Sequence, residues 1–244
     1  MLLKNLLDWI YPPTCITCRK LIPLNHMQPR DMMVCEMCQT LFEPITPPIC
    51  NTCSIPTENS VERCVSCYGK GFHFTTNRAT FLYDEIMRDL LLELKFEQNK
   101  QIANSLGKLW AMHMPTTFDC EENTFLAPLP MHRKKQRERG FNQAEILTRH
   151  LSNRLSIPTE HALLRTIDTP PQSGLHPRQR VENVQGAFGI AKGINPQGKN
   201  YIIIDDIYTT GASLNECAKV LKEAGAVSVI CMTLSVVEKS ERKN

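Results

Sequence analysis

The segment Tyr201-Ile-Ile-Ile-Asp-Asp-Ile-Tyr-Thr-Thr-Gly-Ala-Ser213 constrains the fold more than any other part of this 244-residue chain. Ile202 to Ile204 form a continuous β-branched run, the composition of a strand covered on both faces in a parallel sheet. Asp205 and Asp206 fall where that strand is expected to stop, and open α/β sheets bind ligands at the carboxyl ends of their strands. Two adjacent ionised carboxylates repel each other and make poor core residues. They are good acceptors for vicinal sugar hydroxyls, and a divalent cation beside them offsets their charge. Thr209, Thr210, Gly211, Ala212 and Ser213 follow. Gly211 permits a tight turn and close approach to a ligand. The small hydroxyls, with the free N–H groups of a helix starting there, suit a phosphate. Leu214, Cys217, Ala218, Leu221 and Ala224 recur at helical spacing, Gly225 is a natural stop, and Val227 to Val237 reads as the next strand. An ordinary strand–turn–helix is the plainer alternative, but a generic turn does not need two acids, two threonines, a glycine and a serine in that order. The expectation is a sugar-phosphate cradle.

The same alternation of strands and helices runs through the C-terminal two thirds. Arg78 to Tyr83 and Phe125 to Leu129 read as strands. Ile86, Leu90, Leu91 and Leu94 mark one helix face, and Ile102, Ala103, Leu106 and Leu109 another. Asn142, with Glu145 three residues on, caps a helix whose apolar face includes Ile146, Leu147, Leu151 and Leu155. This pattern predicts an α/β fold with a parallel sheet.

The first third is different. Eight of the 11 cysteines form four C-x-x-C pairs: Cys15/Cys18, Cys35/Cys38, Cys50/Cys53 and Cys64/Cys67. Two such turns complete a tetrahedral metal site. Redox pairs or free structural thiols are the alternatives for a single pair; four pairs in one short, Pro-containing segment point to structural zinc. Sequential pairing closes local loops and is favoured over interleaved pairing. The segment has too few large apolar residues to fold without metal. The glycine usual just after the second cysteine is missing from the first three turns, and Gly69 lies two residues past Cys67. His26 and His73 are lone histidines, suited to surface or packing roles. A cysteine-rich zinc domain over residues 1–70 and an α/β domain over 71–244 are expected. Neither a run of eighteen apolar residues nor a signal-peptide pattern is present, which predicts no membrane insertion and a cytoplasmic protein. The formal net charge of +3 does not by itself imply nucleic acid.

Charge clusters locally instead. Arg133, Lys134, Lys135, Arg137 and Arg139 lie between the strand at Phe125–Leu129 and the helix after Asn142. A solvated basic loop is the usual meaning of such a run. At the carboxyl end of a strand, on the same sheet edge as the acid pair, it can instead neutralise a pyrophosphate or a nucleic-acid backbone.

The Asp205–Ser213 segment resembles the phosphoribosyl-pyrophosphate (PRPP) signature of type I phosphoribosyltransferases. Pro130, Arg139-Gly-Phe-Asn-Gln143, Gln172-Ser-Gly-Leu175 and Arg180-Val-Glu-Asn-Val-Gln-Gly-Ala-Phe188, together with the four cysteine pairs, resemble the ComF family from about Tyr11 to Val237. Ser213 stands where Thr is commoner, and Glu97 to Lys100 lacks a glycine often found after the pair seen here as Lys95-Phe96. The resemblance implies a double-zinc-ribbon-like domain before a type I phosphoribosyltransferase-like parallel sheet with helices on both faces. It implies that Asp205 and Asp206 hold ribose hydroxyls and that Thr209 to Ser213 hold the 5′-phosphate, with Mg²⁺ accompanying PRPP. Gln172, Ser173, Arg180 and Asn183 would belong to a mobile loop closing over PRPP. The family's role implies DNA uptake or utilisation, single-stranded DNA as a ligand and a competence helicase or other DNA-processing protein as a partner. Phe141, Tyr208 or Tyr68 would stack on bases. Three readings stay open: a DNA-processing accessory protein, a working phosphoribosyltransferase and a PRPP sensor without catalysis. The residues name no acceptor and no general base.

Overall fold

The computed structural model describes residues 13–22, 32–96, 98–115, 118–169, 179 and 182–238. In chain order the described elements are α1 (Glu36–Gln39), β1 (Asn77–Leu82), α2 (Glu85–Phe96), α3 (Lys100–Met112), β2 (Thr124–Pro128), α4 (Arg133–Arg139), α5 (Gln143–Leu155), β3 (Leu163–Arg165), β4 (Phe188–Ile190), β5 (Asn200–Tyr208), α6 (Ala212–Glu223) and β6 (Ser228–Val236). Four strands make a parallel sheet in the order β1-β6-β5-β2, and β3 and β4 pair antiparallel apart from it.

The β-branched run behaves as its composition demands. Ile202 and Ile204 join a core with Leu90, Leu94, Leu106, Trp110, Leu147 and Leu151 from α2, α3 and α5. Tyr201 and Ile203 face the other way, onto Cys217, Ala218 and Leu221 of α6. Helices therefore cover both faces of the sheet, and each fully buried large apolar side chain contributes about 1.5–3 kcal/mol. Trp110, fully buried, also donates from Nε1 to Thr80 Oγ1 at 2.7 Å, tying α3 to β1.

Strand β5 runs further than its apolar stretch suggests. Its last residue paired with β2 is Ile204, opposite Pro128, but it stays paired with β6 as far as Tyr208, opposite Val236. Asp205 and Asp206 are thus inside the strand, just beyond the end of β2, rather than after it. One ladder has ended there and the other continues, so beyond Ile204 the strand is paired on its β6 side and not with β2.

The basic segment, expected as a loop, is the helix α4. His132 caps it by accepting from the Lys134 N–H, and Gly140 ends it in the left-handed region at φ 80°, donating its N–H to Gln136 O. Asn142 then caps α5: Oδ1 accepts from the Ala144 N–H at 3.0 Å while Nδ2 donates to Leu129 O at 3.0 Å. That pair of bonds fixes the start of α5 to the end of β2.

The cysteine-rich segment shares the cores of the α/β sheet. Cys15, Ile16, Met32, Val34, Cys38 and Phe42 pack with the α2, α3 and α5 side. Cys50, Cys53, Cys67 and Phe74 pack with the α6 side. Between them the chain runs along the outer edge of β1, where the Ile45 N–H donates to Thr80 O and the Asn77 N–H to Thr52 O. The otherwise open edge strand is thereby covered. Among the described residues no helix is long and apolar enough to cross a membrane.

Candidate functional site

The acid pair is electrostatically divided. Burial raises the pKa of both carboxyls. For Asp206 burial is the largest single influence, but the Lys95 ammonium, a hydrogen bond with Asp205 and the Arg139 charge together outweigh it and hold the carboxyl below its ordinary value. Lys95 Nζ lies 2.7 Å from Asp206 Oδ2, and the Asp206 side chain is 4% exposed. Oδ2 has no well-angled hydrogen bond among the described residues, so the contact is chiefly Coulombic. Asp205 is partly buried; burial first, and the Asp206 charge second, push its pKa well up. Its Oδ1 accepts from the Asp206 N–H at 2.9 Å. Asp206 is thus paired with a lysine, while Asp205 makes no ion pair among the described residues and feels the Lys95 and Arg165 charges only at a distance.

The turn after β5 is built as expected. Gly211 has φ 75° and caps α6, whose first residue Ala212 donates its N–H to Thr210 Oγ1 at 3.3 Å. A Cβ on Gly211 would lie 2.7 Å from the Tyr208 hydroxyl and 2.9 Å from its ring, so glycine is required by conformation and by space. Thr209 and Ser213 are partly exposed, Thr210 and Ala212 are buried, and no acidic residue lies in the first turn of α6. Its N-terminal N–H groups and helix dipole favour an anion there.

Helical spacing sorts the basic residues of α4. Residues three and four apart share a face, so Lys135 and Arg139 point inward with His132. Arg139 donates to Gln143 Oε1 at 2.8 Å and faces Asp206; burial lowers its pKa, and Asp206 offsets this in part. Lys135 donates to Thr169 O at 2.6 Å and lies 3.9 Å from Asp168. Lys134 lies 3.6 Å from the same carboxylate, while Arg133 and Arg137 are exposed. The five cations thus divide into one aimed at the acid pair, two held by Asp168 and two on the surface. A cleft of about 380 Å³ beside them is lined by His132, Arg133, Glu145, His161 and Arg165 among others.

Lys95 and Arg165 are site residues that the sequence did not single out. Lys95 was visible only as part of a Lys-Phe pair. Arg165, on β3, is charge-coupled to Asp205 and Asp168, bonds Thr169 Oγ1, and stacks 5.4 Å from the Phe188 ring. Among the aromatics named for stacking, Phe141 and Tyr208 are buried in the core and unavailable to a base, whereas Tyr68 is 81% exposed. The loop residues Gln172, Ser173 and Arg180 lie outside the described residues, as do His26, Pro170, Pro171 and Gly174. Asn183 is partly buried, with its N–H on Gln179 O, and Gly186 is tied by its N–H to Glu216 of α6.

The cysteines form two quartets, Cys15/Cys18/Cys35/Cys38 and Cys50/Cys53/Cys64/Cys67, with the sulfurs of each within 4.8 Å of one another. Pairing is sequential. Cys18 and Cys35 sulfurs are 3.9 Å apart, and Cys53 and Cys64 sulfurs 3.7 Å. Tetrahedral zinc with Zn–S bonds of about 2.3 Å needs sulfurs about 3.8 Å apart. Backbone N–H groups also point at sulfur, Cys35 to Cys15 at 3.4 Å and Cys64 to Cys50 at 3.2 Å, which stabilises thiolates. The donor sets fit structural zinc. The missing glycines are accounted for: Arg19 and Ser54, each just after a second cysteine, adopt the left-handed conformation themselves at φ 62° and 66°, and Cys38 instead lies in α1.

Fold and site together define a phosphoribosyltransferase-type α/β domain joined to a double zinc ribbon. The double zinc ribbon domain matches residues 6–68 and the phosphoribosyl transferase domain residues 140–244. Competence protein ComFC of Bacillus subtilis (strain 168) is 30% identical over 84% of this chain and 84% of its own length. DNA utilization protein YhgH of Escherichia coli (strain K12) is 28% identical over 91% of this chain and 98% of its own. The chain belongs to this ComF family of competence and DNA-utilisation proteins. Among solved structures, the glutamine PRPP amidotransferase of B. subtilis is 19% identical with a TM-score of 0.35, covering 54% of this chain and only about a quarter, 26%, of that one.

Proposed function

We propose that this protein assists DNA uptake or utilisation and binds Mg²⁺-PRPP at the carboxyl edge of its sheet. The observation that carries the reading is the convergence on one edge of the Asp205–Asp206 pair, the Thr209–Ser213 turn and the cations Lys95, Arg139 and Arg165. In this reading Asp205 and Asp206 accept from the ribose 2′- and 3′-hydroxyls. Thr209, Thr210, Gly211, Ala212 and Ser213 enclose the 5′-phosphate with hydroxyls and N–H groups. Arg139, with Arg133 at the mouth of the cleft, faces the pyrophosphate. Mg²⁺ arrives with PRPP and offsets the charge of Asp205, the carboxyl without a lysine. A thermal melt of the zinc-loaded protein tests this: ligand that binds only the folded state raises the melting temperature with concentration. A shift with Mg²⁺-PRPP that Thr210→Ala and Ser213→Ala reduce supports the reading, and no shift at millimolar PRPP overturns it.

The cleft beside His132, Arg133 and Arg165 favours a second reading, an active phosphoribosyltransferase. There a nucleophile would displace pyrophosphate at C1 of the ribose, with Arg139 and Arg133 stabilising the departing charge. Pyrophosphate release with a panel of nucleobases distinguishes turnover from sensing. For DNA, Arg133 and Arg137 are exposed cations of α4 placed to meet a phosphodiester backbone. Single-strand affinity is expected to fall with salt and with Arg133→Ala/Arg137→Ala. Salt-independent binding, or binding unchanged in the double variant, counts against that assignment.

A further inference from the structure

The segment that leaves β3 sets one carboxylate against the basic helix α4. Asp168 lies 3.6 Å from Lys134 Nζ, 3.9 Å from Lys135 Nζ and 3.6 Å from His132 Nδ1. Helix α4 itself carries five cations and a single acid, Glu138. The backbone on both sides of Asp168 is fixed. Before it, the Thr166 N–H donates to Ala187 O at 2.8 Å, extending the β3–β4 pair. After it, Thr169 is buried; its carbonyl accepts from Lys135 Nζ at 2.6 Å and its hydroxyl from Arg165 Nη2. The carboxylate is therefore presented to α4 by the tertiary fold rather than by a side chain swinging in solvent. The contact is nevertheless open to water: the Lys134 side chain is 63% exposed and that of Asp168 31%. Ion pairs this exposed add little to stability. Their larger effect is on what else can approach the same ammoniums. A phosphodiester brings one negative charge per nucleotide, no more than the carboxylate already there, and gains little by displacing it.

We propose that Asp168 is a built-in stand-in for phosphate, which withholds Lys134 and Lys135 from nucleic acid and confines a bound single strand to Arg133 and Arg137 on the outer side of α4. The cations of one short helix are thereby divided by a specificity-determining carboxylate from another segment. Arg133 and Arg137 meet the phosphodiester backbone, while Lys134 and Lys135 stay committed to the segment leaving β3. Removing the Asp168 charge without changing its shape releases both lysines, and the strand then gains two more contacts. As a statement about nucleic acid this rests on the reading of single-stranded DNA as a ligand; as a statement that Asp168 competes with anions for the two lysines it does not.

The experiment measures binding of a thymidine oligonucleotide, and separately of inorganic pyrophosphate, to the full-length, zinc-loaded protein across a salt series. Asp168→Asn is expected to bind the oligonucleotide about fivefold more tightly than wild type at low salt, the scale of an exposed ion pair. Its log affinity should also fall more steeply with log salt, by about 0.7 for each lysine that joins the contact. Asp168→Glu, which keeps the charge, is expected to behave like wild type, and Asp168→Asn/Lys134→Ala/Lys135→Ala to lose the gain. Lys134→Ala/Lys135→Ala with Asp168 in place is expected to leave oligonucleotide affinity and salt slope as they are in wild type, and this variant decides the matter should Asp168→Asn fail to fold. The proposal is overturned if Asp168→Asn binds no more tightly than wild type, if the triple variant keeps the gain, or if Lys134→Ala/Lys135→Ala alone weakens binding. Should neither wild type nor any variant bind the oligonucleotide, the DNA reading falls. Pyrophosphate then decides the competition: tighter binding in Asp168→Asn that the triple variant loses supports it, and equal binding in wild type and Asp168→Asn overturns it.

Discussion

Two adjacent aspartates in one strand carry opposite shifts, and this has consequences that single substitutions expose. The raised pKa of Asp205 means that the folded state holds its proton more tightly than the unfolded chain does. The stability tied to this group is therefore complete below the ordinary carboxylate pKa and is lost as pH rises through the higher folded value. Asp206, held low by Lys95, contributes the reverse, and its stability is lost as pH falls below the ordinary range. The two windows do not overlap. Asp205→Asn is expected to raise the melting temperature of ligand-free protein at pH 7.5, with the gain over wild type shrinking toward pH 4, and to abolish the response to Mg²⁺-PRPP. A variant that melts lower than wild type at pH 7.5 would contradict the division of charge. Lys95→Ala leaves the Asp206 carboxylate buried without its cation, a change that costs about 3–5 kcal/mol. Lys95→Ala/Asp206→Asn should regain most of that loss in urea unfolding, because the orphaned charge is gone. The acid pair and Gly211 were legible in the sequence because their chemistry is local. Lys95 and Arg165 were not, because they come from α2 and β3 and meet the aspartates only through the tertiary fold.

Elements with a strong period were the legible ones. Strands β1, β2 and β6 and helices α2, α3, α5 and α6 fall within three residues of the apolar patterns that announced them. Helix α4 was hidden because it has no buried residue, so there is no apolar stripe to read; only its capping His132 and Gly140 mark its ends. Strands β3 and β4 are three residues each and pair across a long excursion, too short for any alternation to register. The site depends on the junction between α4 and α5. Asn142 satisfies both the first turn of α5 and the last carbonyl of the β2 exit, so Asn142→Ala removes a cap and a tether together. A loss of about 1–2 kcal/mol is expected from the cap alone, and because Arg139 lies three residues upstream, PRPP affinity should fall as well. Stability lost with unchanged affinity would show that the tether does not position Arg139.

At the scale of the molecule, the cysteine-rich third reads as a separate module in sequence, yet its two quartets contribute to the two cores on opposite faces of the sheet. The four metal-binding pairs were legible from spacing; which pairs join was not decided by the sequence, and the sequential pairing it only favoured is the one the fold brings together. Their integration with the sheet was not legible, because nothing in the C-x-x-C turns says which surface they will meet. Chelation of zinc from the whole protein is expected to lower the melting temperature of the α/β sheet as well as unfold the ribbons, since buried residues of both cores lose their support. A sheet that melts at the same temperature with and without metal would contradict that integration. The central claim is that the carboxyl edge of this sheet is a live PRPP site. Calorimetric titration of the zinc-loaded protein with PRPP and Mg²⁺, alongside Asp205→Ala/Asp206→Ala, tests it most directly. The account predicts saturable binding in wild type that the double variant loses while its ribbons keep their zinc. No heat in wild type, or equal binding in both proteins, would contradict it.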